Sequence, residues 1–272
     1  MDRLDVGGTE IYYERHGEAG EPLVFVHGYT GDITDWRHQI PEFSRTHRVL
    51  VMDLRGHGRS AAPADRSSYT VARMAEEVEA VIAHAGFGRY HLVGHSMGGL
   101  IAQEITLRHQ VNVLTLTLED SGYSFNLSRN QAVAQYYAAR LTLAEQQGME
   151  AVANLPSVGA RPPHQSVERA QEEKERLSRM SVDGFIGAWQ ALETAPSTRD
   201  RLREIVIPTL IICGALDPLL PASERMAELI PDATLEVIPE AGHSPQYERP
   251  DLFNGALRRH LEKHAVAAVR PA

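Results

Sequence analysis

Ser96 is flanked by glycines two positions before it and two positions after it, in the pattern Gly-x-Ser-x-Gly. The apolar, strand-like run 91–93 stops at Gly94, and helix-forming residues resume at Leu100. In this context the pattern is typical of a strand-to-helix turn so sharp that the serine backbone is strained and its hydroxyl is exposed. That hydroxyl would lie at a helix N-terminus, where developing negative charge is stabilised. Because the pattern also occurs in ordinary loops, its chemistry depends on partners elsewhere in the chain.

A serine hydroxyl becomes an effective nucleophile only when a base accepts its proton and an acid orients that base. Parallel α/β sheets present functional groups just past the carboxyl ends of their strands. His243 follows the last predicted strand and Asp217 follows the strand before it, so we predict that His243 is the base and Asp217 the acid. Glu119 and Asp120 are competing acids, since they follow the strand after the nucleophile helix and could reach the same histidine.

Two backbone N–H groups are predicted to stabilise the oxyanion of a tetrahedral intermediate, which is usually the largest single electrostatic contribution to acyl transfer. One is the N–H of Met97, directly after the nucleophile. The other is the N–H of Tyr29, in the loop that follows the apolar strand 22–26. Gly28 would let that backbone approach closely, because it carries no side chain.

Predicted strands and helices alternate over most of the chain, which indicates an α/β fold with a mostly parallel sheet and helices on both faces. Strand patterns occur at residues 9–15, 22–26, 49–52, 91–93, 113–118, 206–213 and 234–238. We interpret Gly17 and Gly20 as the turn of a hairpin between the first two of these strands. Apolar residues at helical spacing predict a helix over 71–85, and a closing helix is predicted over about 248–264.

The alternation stops in the middle of the chain, where helical patterns are separated by prolines. We predict that residues 120–204 form a helical cap, or lid, over the carboxyl ends of the strands. Residues 1–119 and 205–272 would then form the core domain. The densely charged run 168–179 is interpreted as a solvated helix face rather than a binding surface.

Several aromatic side chains, together with His95 beside the nucleophile, are candidates for an apolar substrate pocket. The candidates are Trp36, His95, Tyr123, Phe125, Tyr137, Phe185 and Trp189. For any single ring, packing of the cap onto the core is the alternative interpretation. Cap helices favour a small, engulfed substrate over a polymer.

Composition argues against several classes of function. The formal net charge of −9 disfavours nucleic acid or an anionic membrane surface as a partner. The one cysteine, Cys213, can form no disulfide within the chain, which favours a reducing compartment. The N-terminal residues lack the basic-then-apolar pattern of a signal peptide, so we expect a cytoplasmic protein. The sequence contains no zinc-ligand spacing and no nucleotide-binding glycine motif, so neither a metal nor a cofactor is predicted.

These segments together resemble the α/β-hydrolase superfamily, and within it the cofactor-free esterases, lactonases, perhydrolases and C–C bond hydrolases. The segments that carry the resemblance are His27-Gly28, residues 53–60, residues 94–99, residues 214–218 and Gly242-His243. The resemblance covers nearly the whole chain except the helical insertion. It implies an eight-stranded sheet with the cap inserted after the sixth strand, the triad roles given above, and a structural role for residues 53–60.

The resemblance also separates subgroups of the superfamily. The loop after His27-Gly28 lacks the Gly-Pro-Gly continuation often found in C–C bond hydrolases of ring-cleavage products, and His95 stands where those enzymes tend to carry asparagine. A serine nucleophile is unlike the aspartate of haloalkane dehalogenases and epoxide hydrolases.

We therefore predict a serine hydrolase that cleaves small carboxylic esters or lactones through an acyl-enzyme intermediate. A hydrolase of C–C bonds next to a carbonyl and a non-catalytic receptor for a small ligand remain the alternatives. The expected partner is a small molecule with an ester, lactone or activated carbonyl group. The sequence does not indicate an oligomeric state.

Overall fold

An eight-stranded sheet forms the centre of the structure, a computed structural model that describes residues 2–125, 131–155 and 167–265. The strands are β1 (Asp2–Val6), β2 (Thr9–His16), β3 (Pro22–Val26), β4 (Arg48–Met52), β5 (Tyr90–His95), β6 (Val113–Glu119), β7 (Thr209–Gly214) and β8 (Ala233–Ile238). They lie in the order β1-β2-β4-β3-β5-β6-β7-β8. In this order every pair of neighbouring strands from β4 through to β8 is parallel. The predicted mostly parallel α/β sheet is confirmed.

The first two strands are antiparallel to their neighbours. Strand β1 pairs with β2, and β2 pairs in turn with β4, with Tyr13 opposite Met52. The predicted hairpin between β2 and β3 is therefore wrong, although Gly17 and Gly20 do lie in the connecting segment. Every residue of β3 is buried, and a strand that is apolar on both faces belongs at the centre of a parallel sheet, beside β4 and β5. Strand β1 escaped prediction because polar residues alternate along its exposed side.

Helices cover both faces of the sheet. They are α1 (Ile40–Phe43), α2 (Val71–His84), α3 (Met97–His109), α4 (Gln131–Ala153), α5 (Val167–Arg179), α6 (Val182–Thr194), α7 (Leu220–Leu229), α8 (Pro245–Glu248) and α9 (Pro250–Lys263). Buried side chains of α2, α3 and α7, such as Met74, Ile101 and Met226, pack on one face. Phe253 and Leu257 of α9 pack on the other face. The closing helix begins later than predicted, at Pro250, whose ring is compatible with a first helical turn.

Helices α4, α5 and α6 lie between β6 and β7, as predicted for the insertion after the sixth strand. Helix α4 is broken at Gly148, whose φ of 80° and ψ of 179° are not helical. The division into core and cap at residues 120 and 204 stays a prediction, and residues 126–130 and 156–166 of that range lie outside the described residues. Within the described ranges, no helix is long and apolar enough to cross a membrane.

Two arginines of α5 point inward, which corrects the expectation of a uniformly solvated face. Arg169 is 2% exposed, and its Nη2 lies 3.0 Å from Oδ1 of Asp35 in the core. Arg176 forms a second ion pair with Asp35, and its Nη1 lies 3.8 Å from Oδ1 of Asp32. Sequence spacing alone pairs these arginines with neighbours on their own helix. Arg169 does pair with Glu173 on its own helix, but the partner that both arginines share is Asp35, in the loop after β3, which only the tertiary fold brings near.

Candidate active site

Ser96 lies at the junction of β5 and α3, with a φ of 51° and a ψ of −112°. Positive φ is costly for a residue with a side chain, and the surrounding backbone holds it in place. The Ser96 N–H donates to the carbonyl O of Glu119 over 2.9 Å. A β-carbon at Gly94 would lie 2.3 Å from the carbonyl O of Gly98, and one at Gly98 would lie 2.2 Å from that of Val26. Both positions therefore require glycine, and the turn directs the serine hydroxyl out of the sheet.

A continuous hydrogen-bond chain joins Ser96, His243 and Asp217. The Oγ of Ser96 lies 3.0 Å from Nε2 of His243, and Nδ1 of His243 lies 2.5 Å from Oδ2 of Asp217. The N–H of Leu219 donates to the other oxygen of Asp217 over 2.7 Å, which fixes the carboxylate. In this arrangement the carboxylate orients the imidazole, and the imidazole is within reach of the hydroxyl proton.

The charges of His243 and Asp217 reinforce each other. Burial alone would raise the pKa of Asp217, but the His243 imidazolium and the hydrogen bond to it lower the pKa below the ordinary value. Burial alone would lower the pKa of His243, but the Asp217 carboxylate outweighs that effect and raises it. The carboxylate thus stays ionised and makes the imidazole a stronger base.

Glu119 and Asp120, the competing acids of the sequence analysis, take different positions. Glu119 is fully buried and accepts from a backbone N–H in the segment after His243 over 2.9 Å. Asp120 accepts from the N–H of Gly214 over 2.9 Å. Burial raises the pKa of both groups well above their ordinary values. Because Asp217 alone of the three acids accepts from Nδ1 of His243, the geometry favours it as the orienting acid.

His95 contacts the loop of the base instead of lining a cavity. It is buried, and its Nε2 lies 2.7 Å from the carbonyl O of His243. Burial, with a smaller contribution from the His243 charge, lowers the pKa of His95 to about 4, so the ring is neutral and donates to that oxygen. His95 therefore fixes the backbone at His243.

The two predicted oxyanion donors remain unpaired among the described residues. Neither the N–H of Tyr29 nor that of Met97 has a hydrogen-bond partner in the ranges that the structure describes. A β-carbon at Gly28 would lie 3.1 Å from Cβ of Ser96, so the backbone before Tyr29 passes directly beside the nucleophile. Unpaired N–H groups near a nucleophile are suited to a developing oxyanion.

A small cavity of about 20 Å³ opens next to Ser96. It is lined by Ser96, Met97, Leu100, Ser121, Gly122, Ser124, Phe125, Leu192 and Leu219. This volume is roughly enough for one water molecule, so a substrate needs displacement of Phe125, Leu192 or their neighbours. Phe125 was predicted from the sequence, whereas Leu100, Leu192 and Leu219 were not. Leu219 had a detectable signal, because it follows the predicted acid by two residues in the same loop.

Most of the remaining aromatic candidates form one cluster between helices α4 and α6 and the loop after β3. The ring of Trp189 stacks on that of Tyr137 with centroids 3.9 Å apart, and Phe125 packs edge-on against Trp189 at 5.2 Å. Phe185 stacks on Tyr29 at 5.4 Å and its carbonyl O accepts from the Tyr29 hydroxyl over 3.0 Å. The cluster joins the insertion to the loop that carries a predicted oxyanion donor.

Trp36 and Tyr123 lie elsewhere. The indole of Trp36 is fully buried, packed between Phe25 at 4.8 Å and Phe253 at 6.4 Å. Its assignment to the pocket was wrong, because the short helical turn after β3 directs it into the core under α9. Tyr123 packs against the core on the cap side, and its carbonyl O accepts from the N–H of Thr198 over 2.8 Å.

Two overlapping clusters bring potential metal ligands within 4.8 Å of one another. They are His95, Asp120 and His243, and Asp120, Cys213 and Asp217. Hydrogen bonds already occupy both ring nitrogens of His243 and both oxygens of Asp217, and each cluster contains one of these two residues. An ion would have to displace these bonds, so the donor set fits a hydrogen-bonded network better than a metal centre.

Several known proteins are similar to this chain in sequence. The sequence model of the alpha/beta hydrolase fold matches residues 21–250. The dihydrolipoyllysine-residue acetyltransferase component of the acetoin cleaving system of Pseudomonas putida is 30% identical over 96% of this chain and 69% of that protein. The 3-oxoadipate enol-lactonase 2 of Acinetobacter baylyi is 28% identical over 98% of this chain and 96% of that protein.

A solved structure extends the similarity to three dimensions. A thermophilic esterase from Thermogutta terrifontis matches with a TM-score of 0.84 and 26% identity, covering 98% of this chain and all of that one. The names of these proteins describe different activities. The comparisons therefore identify the class of protein more closely than its substrate.

Proposed function

The chain belongs to the alpha/beta hydrolase fold family, and from that membership we propose that it is a serine hydrolase cleaving small carboxylic esters or lactones through an acyl-enzyme intermediate. The enzyme class, an alpha/beta-fold hydrolase, follows from the family and its relatives. The observation that carries the finer proposal is the unbroken hydrogen-bond chain from the Ser96 hydroxyl through His243 to Asp217. The similarity to an enol-lactonase and an esterase supports an ester or lactone carbonyl as the group attacked.

In the acylation step, Oγ of Ser96 attacks the substrate carbonyl while Nε2 of His243 accepts the hydroxyl proton. The carbonyl oxygen becomes an oxyanion and accepts hydrogen bonds from the N–H groups of Tyr29 and Met97. When the tetrahedral intermediate collapses, the bond to the leaving oxygen breaks and His243 donates its proton to that oxygen. Asp217 stays ionised and stabilises the imidazolium throughout.

In the deacylation step, a water molecule repeats this sequence. His243 accepts a proton from the water as its oxygen attacks the acyl carbonyl. Collapse of the second intermediate breaks the bond to Oγ of Ser96, and His243 returns the proton to that oxygen. The products are the free carboxylic acid and the regenerated enzyme, or a hydroxy acid when the substrate is a lactone.

We also propose that residues 120–204 act as a cap that selects small, largely apolar substrates. The cavity beside Ser96 is small and lined mainly by apolar side chains such as Phe125 and Leu192. A cavity of this size supports a substrate that enters when the cap helices move and is then enclosed. A substrate that must be enclosed in this way has to be a small molecule, so polymers are excluded.

The test compares Ser96→Ala and His243→Ala with the natural chain on short p-nitrophenyl esters. Each change should lower kcat by about 10⁶-fold, because the nucleophile and its base act as a unit. Ser124→Ala is the matched control: it removes a hydroxyl from the same cavity wall and should retain turnover. Activity that survives both Ser96→Ala and His243→Ala would defeat the proposal.

Two further measurements separate the alternatives. Covalent labelling by a fluorophosphonate distinguishes an enzyme from a ligand receptor, and should occur at Ser96 in the natural chain and in Ser124→Ala. A panel of esters, lactones and vinylogous diketones then distinguishes ester or lactone hydrolysis from C–C bond cleavage. Turnover of the diketones alone would replace the proposed reaction with the C–C alternative.

A further inference from the structure

Two carboxyl groups lie side by side beneath the base, one more than a serine triad requires. A carboxyl oxygen of Asp120, one of Asp217 and the sulfur of Cys213 all lie within 4.8 Å of one another. Asp120 is 0% exposed and Asp217 is 4% exposed. Two carboxylates this close and this deeply buried repel each other strongly, so the pair holds one proton.

The surroundings of each group decide which carboxyl carries the proton. Asp217 accepts from the N–H of Leu219 and from Nδ1 of His243, and two donors stabilise its charged form. Asp120 accepts at Oδ1 from the N–H of Gly214, whereas its Oδ2 meets no N–H donor among the described residues. The proton therefore belongs on Oδ2 of Asp120, whose carboxyl group lies within 4.8 Å of that of Asp217.

The backbone of Asp120 holds the group in this position. Its φ is +40°, a value that residues other than glycine seldom adopt. Its N–H donates to the carbonyl O of Ile212 over 2.9 Å, which ties it to β7. The charged and titratable groups that face it are His95 and His243, together with Asp217, Cys213 and Glu119. Burial and the Asp217 charge both raise the pKa of Asp120.

We propose that Asp120 is a positioning residue that keeps its proton and donates a hydrogen bond to the Asp217 carboxylate. The proposal rests on the proposed function, in which Asp217 orients His243. The third donor holds the carboxylate in place and disperses part of its negative charge. His243 is then less basic than it would be beside a carboxylate with two donors only, so more of it is in the neutral, active form near neutral pH.

The experiment compares Asp120→Asn with Asp120→Ala in the full chain. Asparagine keeps a carbonyl oxygen for Gly214, supplies an N–H for Asp217 and tolerates positive φ. Alanine removes both contacts. Cys213→Ala is the matched control, because it opens a gap beside the same two carboxyl groups without removing the donor to Asp217.

Asp120→Asn should keep kcat/KM within about threefold and leave the acidic limb of its pH profile in place, since one charged hydrogen bond is replaced by a similar one. Asp120→Ala should lose about 10- to 100-fold in kcat/KM, and its acidic limb should move up by about one pH unit. Cys213→Ala should leave the limb where it is in the natural chain. If the acidic limbs of the pH profiles of Asp120→Ala and Asp120→Asn had the same apparent pKa, the proposal would be overturned.

Infrared spectroscopy tests the proton directly and does not depend on turnover. The natural chain at neutral pH should show the carbonyl stretching band of a neutral carboxylic acid that disappears in Asp120→Asn. Glu119 is a second buried acid, so Glu119→Gln identifies its separate band. A spectrum without a band that depends on Asp120 would overturn the proposal, even if the enzyme hydrolyses esters. Loss of ester hydrolysis in every substrate test, with this band present, would instead refute the proposed function.

Discussion

Breaking the ion pairs of Asp35 should lower the stability more than breaking an exposed ion pair between α5 and the core. Asp35 is 4% exposed and pairs with Arg169 and Arg176. Burial alone would raise the pKa of Asp35, but the two guanidinium groups lower it well below the ordinary value. The change Asp35→Asn removes the charge while keeping the shape, so it leaves two largely buried cations short of a partner.

The expected loss can be bounded from the burial of the three groups. Breaking a buried ion pair from one side costs about 3–5 kcal/mol. Glu173, whose Oε1 lies 2.8 Å from Nε of Arg169, and Asp32 remain as partial partners, so we expect the lower end, about 3 kcal/mol. For a chain of this size that loss lowers Tm by about 6–12 °C. The aromatic contacts of α4 and α6 with the loop after β3 should retain the fold.

The matched control is Glu172→Gln, which breaks the Arg37–Glu172 pair between the same two elements. Those side chains are 33% and 44% exposed, with Nη1 and Oε2 2.8 Å apart. An exposed pair contributes at most about 1 kcal/mol, so Tm should change by less than about 4 °C. Thermal unfolding followed by circular dichroism measures both variants. Equal Tm values for Asp35→Asn and Glu172→Gln would refute the reasoning.

Four further outcomes are expected. Asp217→Asn should lower kcat about 10⁴-fold in a p-nitrophenyl ester assay, because the imidazole of His243 loses the acceptor that fixes its tautomer. A loss of less than about tenfold would count against Asp217 as the orienting acid. The kcat/KM of the natural chain should rise with pH through an apparent pKa above 6.5. The reason is that the pKa of His243 is raised and only its neutral form accepts a proton. An acidic limb of the pH profile with an apparent pKa below 6.5 would contradict this. Gly98→Ala should lower the free energy of unfolding, measured in urea, by about 3 kcal/mol or more. The added β-carbon would lie 2.2 Å from the carbonyl O of Val26. Unchanged stability would show that the turn around Ser96 can relax to accommodate it. Burial lowers the pKa of His260 to about 4, so protonation of this residue should lower the stability by up to about 3 kcal/mol as the pH drops from above 6.5 to 4. His260→Gln should remove that contribution while the similar one of buried His95 remains, and an identical pH profile would exclude a contribution from His260.

The sequence could predict the fold because the parallel strands are short and apolar and are separated by helical patterns. It predicted β3 to β8 and the helical insertion for that reason. It could not predict which strand lies beside which in the antiparallel edge, because Gly17 and Gly20 indicate a turn without specifying the partner. Strand β1 pairs with β2 through residues whose polar side chains are half exposed, and such a pattern gives a weak signal.

The candidate site could be predicted to the extent that its groups follow strand ends. Ser96, Asp217 and His243 all do, and the structure brings them within hydrogen-bond distance of one another. Two features depended on tertiary contacts. Trp36 follows Tyr29 by seven residues, yet the short helix Ile33–Trp36, which ends at this residue, turns the indole into the core. The proton on Asp120 follows from burial beside a second carboxyl group, which no spacing in the sequence records.

The central claim, an acyl-enzyme on Ser96, is tested most directly by rapid mixing with p-nitrophenyl acetate. The natural chain should release a burst of one p-nitrophenol per active chain, and mass spectrometry of the quenched sample should find the acetyl group on the peptide containing Ser96. Ser96→Ala should show neither the burst nor the acetyl group. Full turnover with an acetyl group on another residue, or an undiminished burst in Ser96→Ala, would contradict the account.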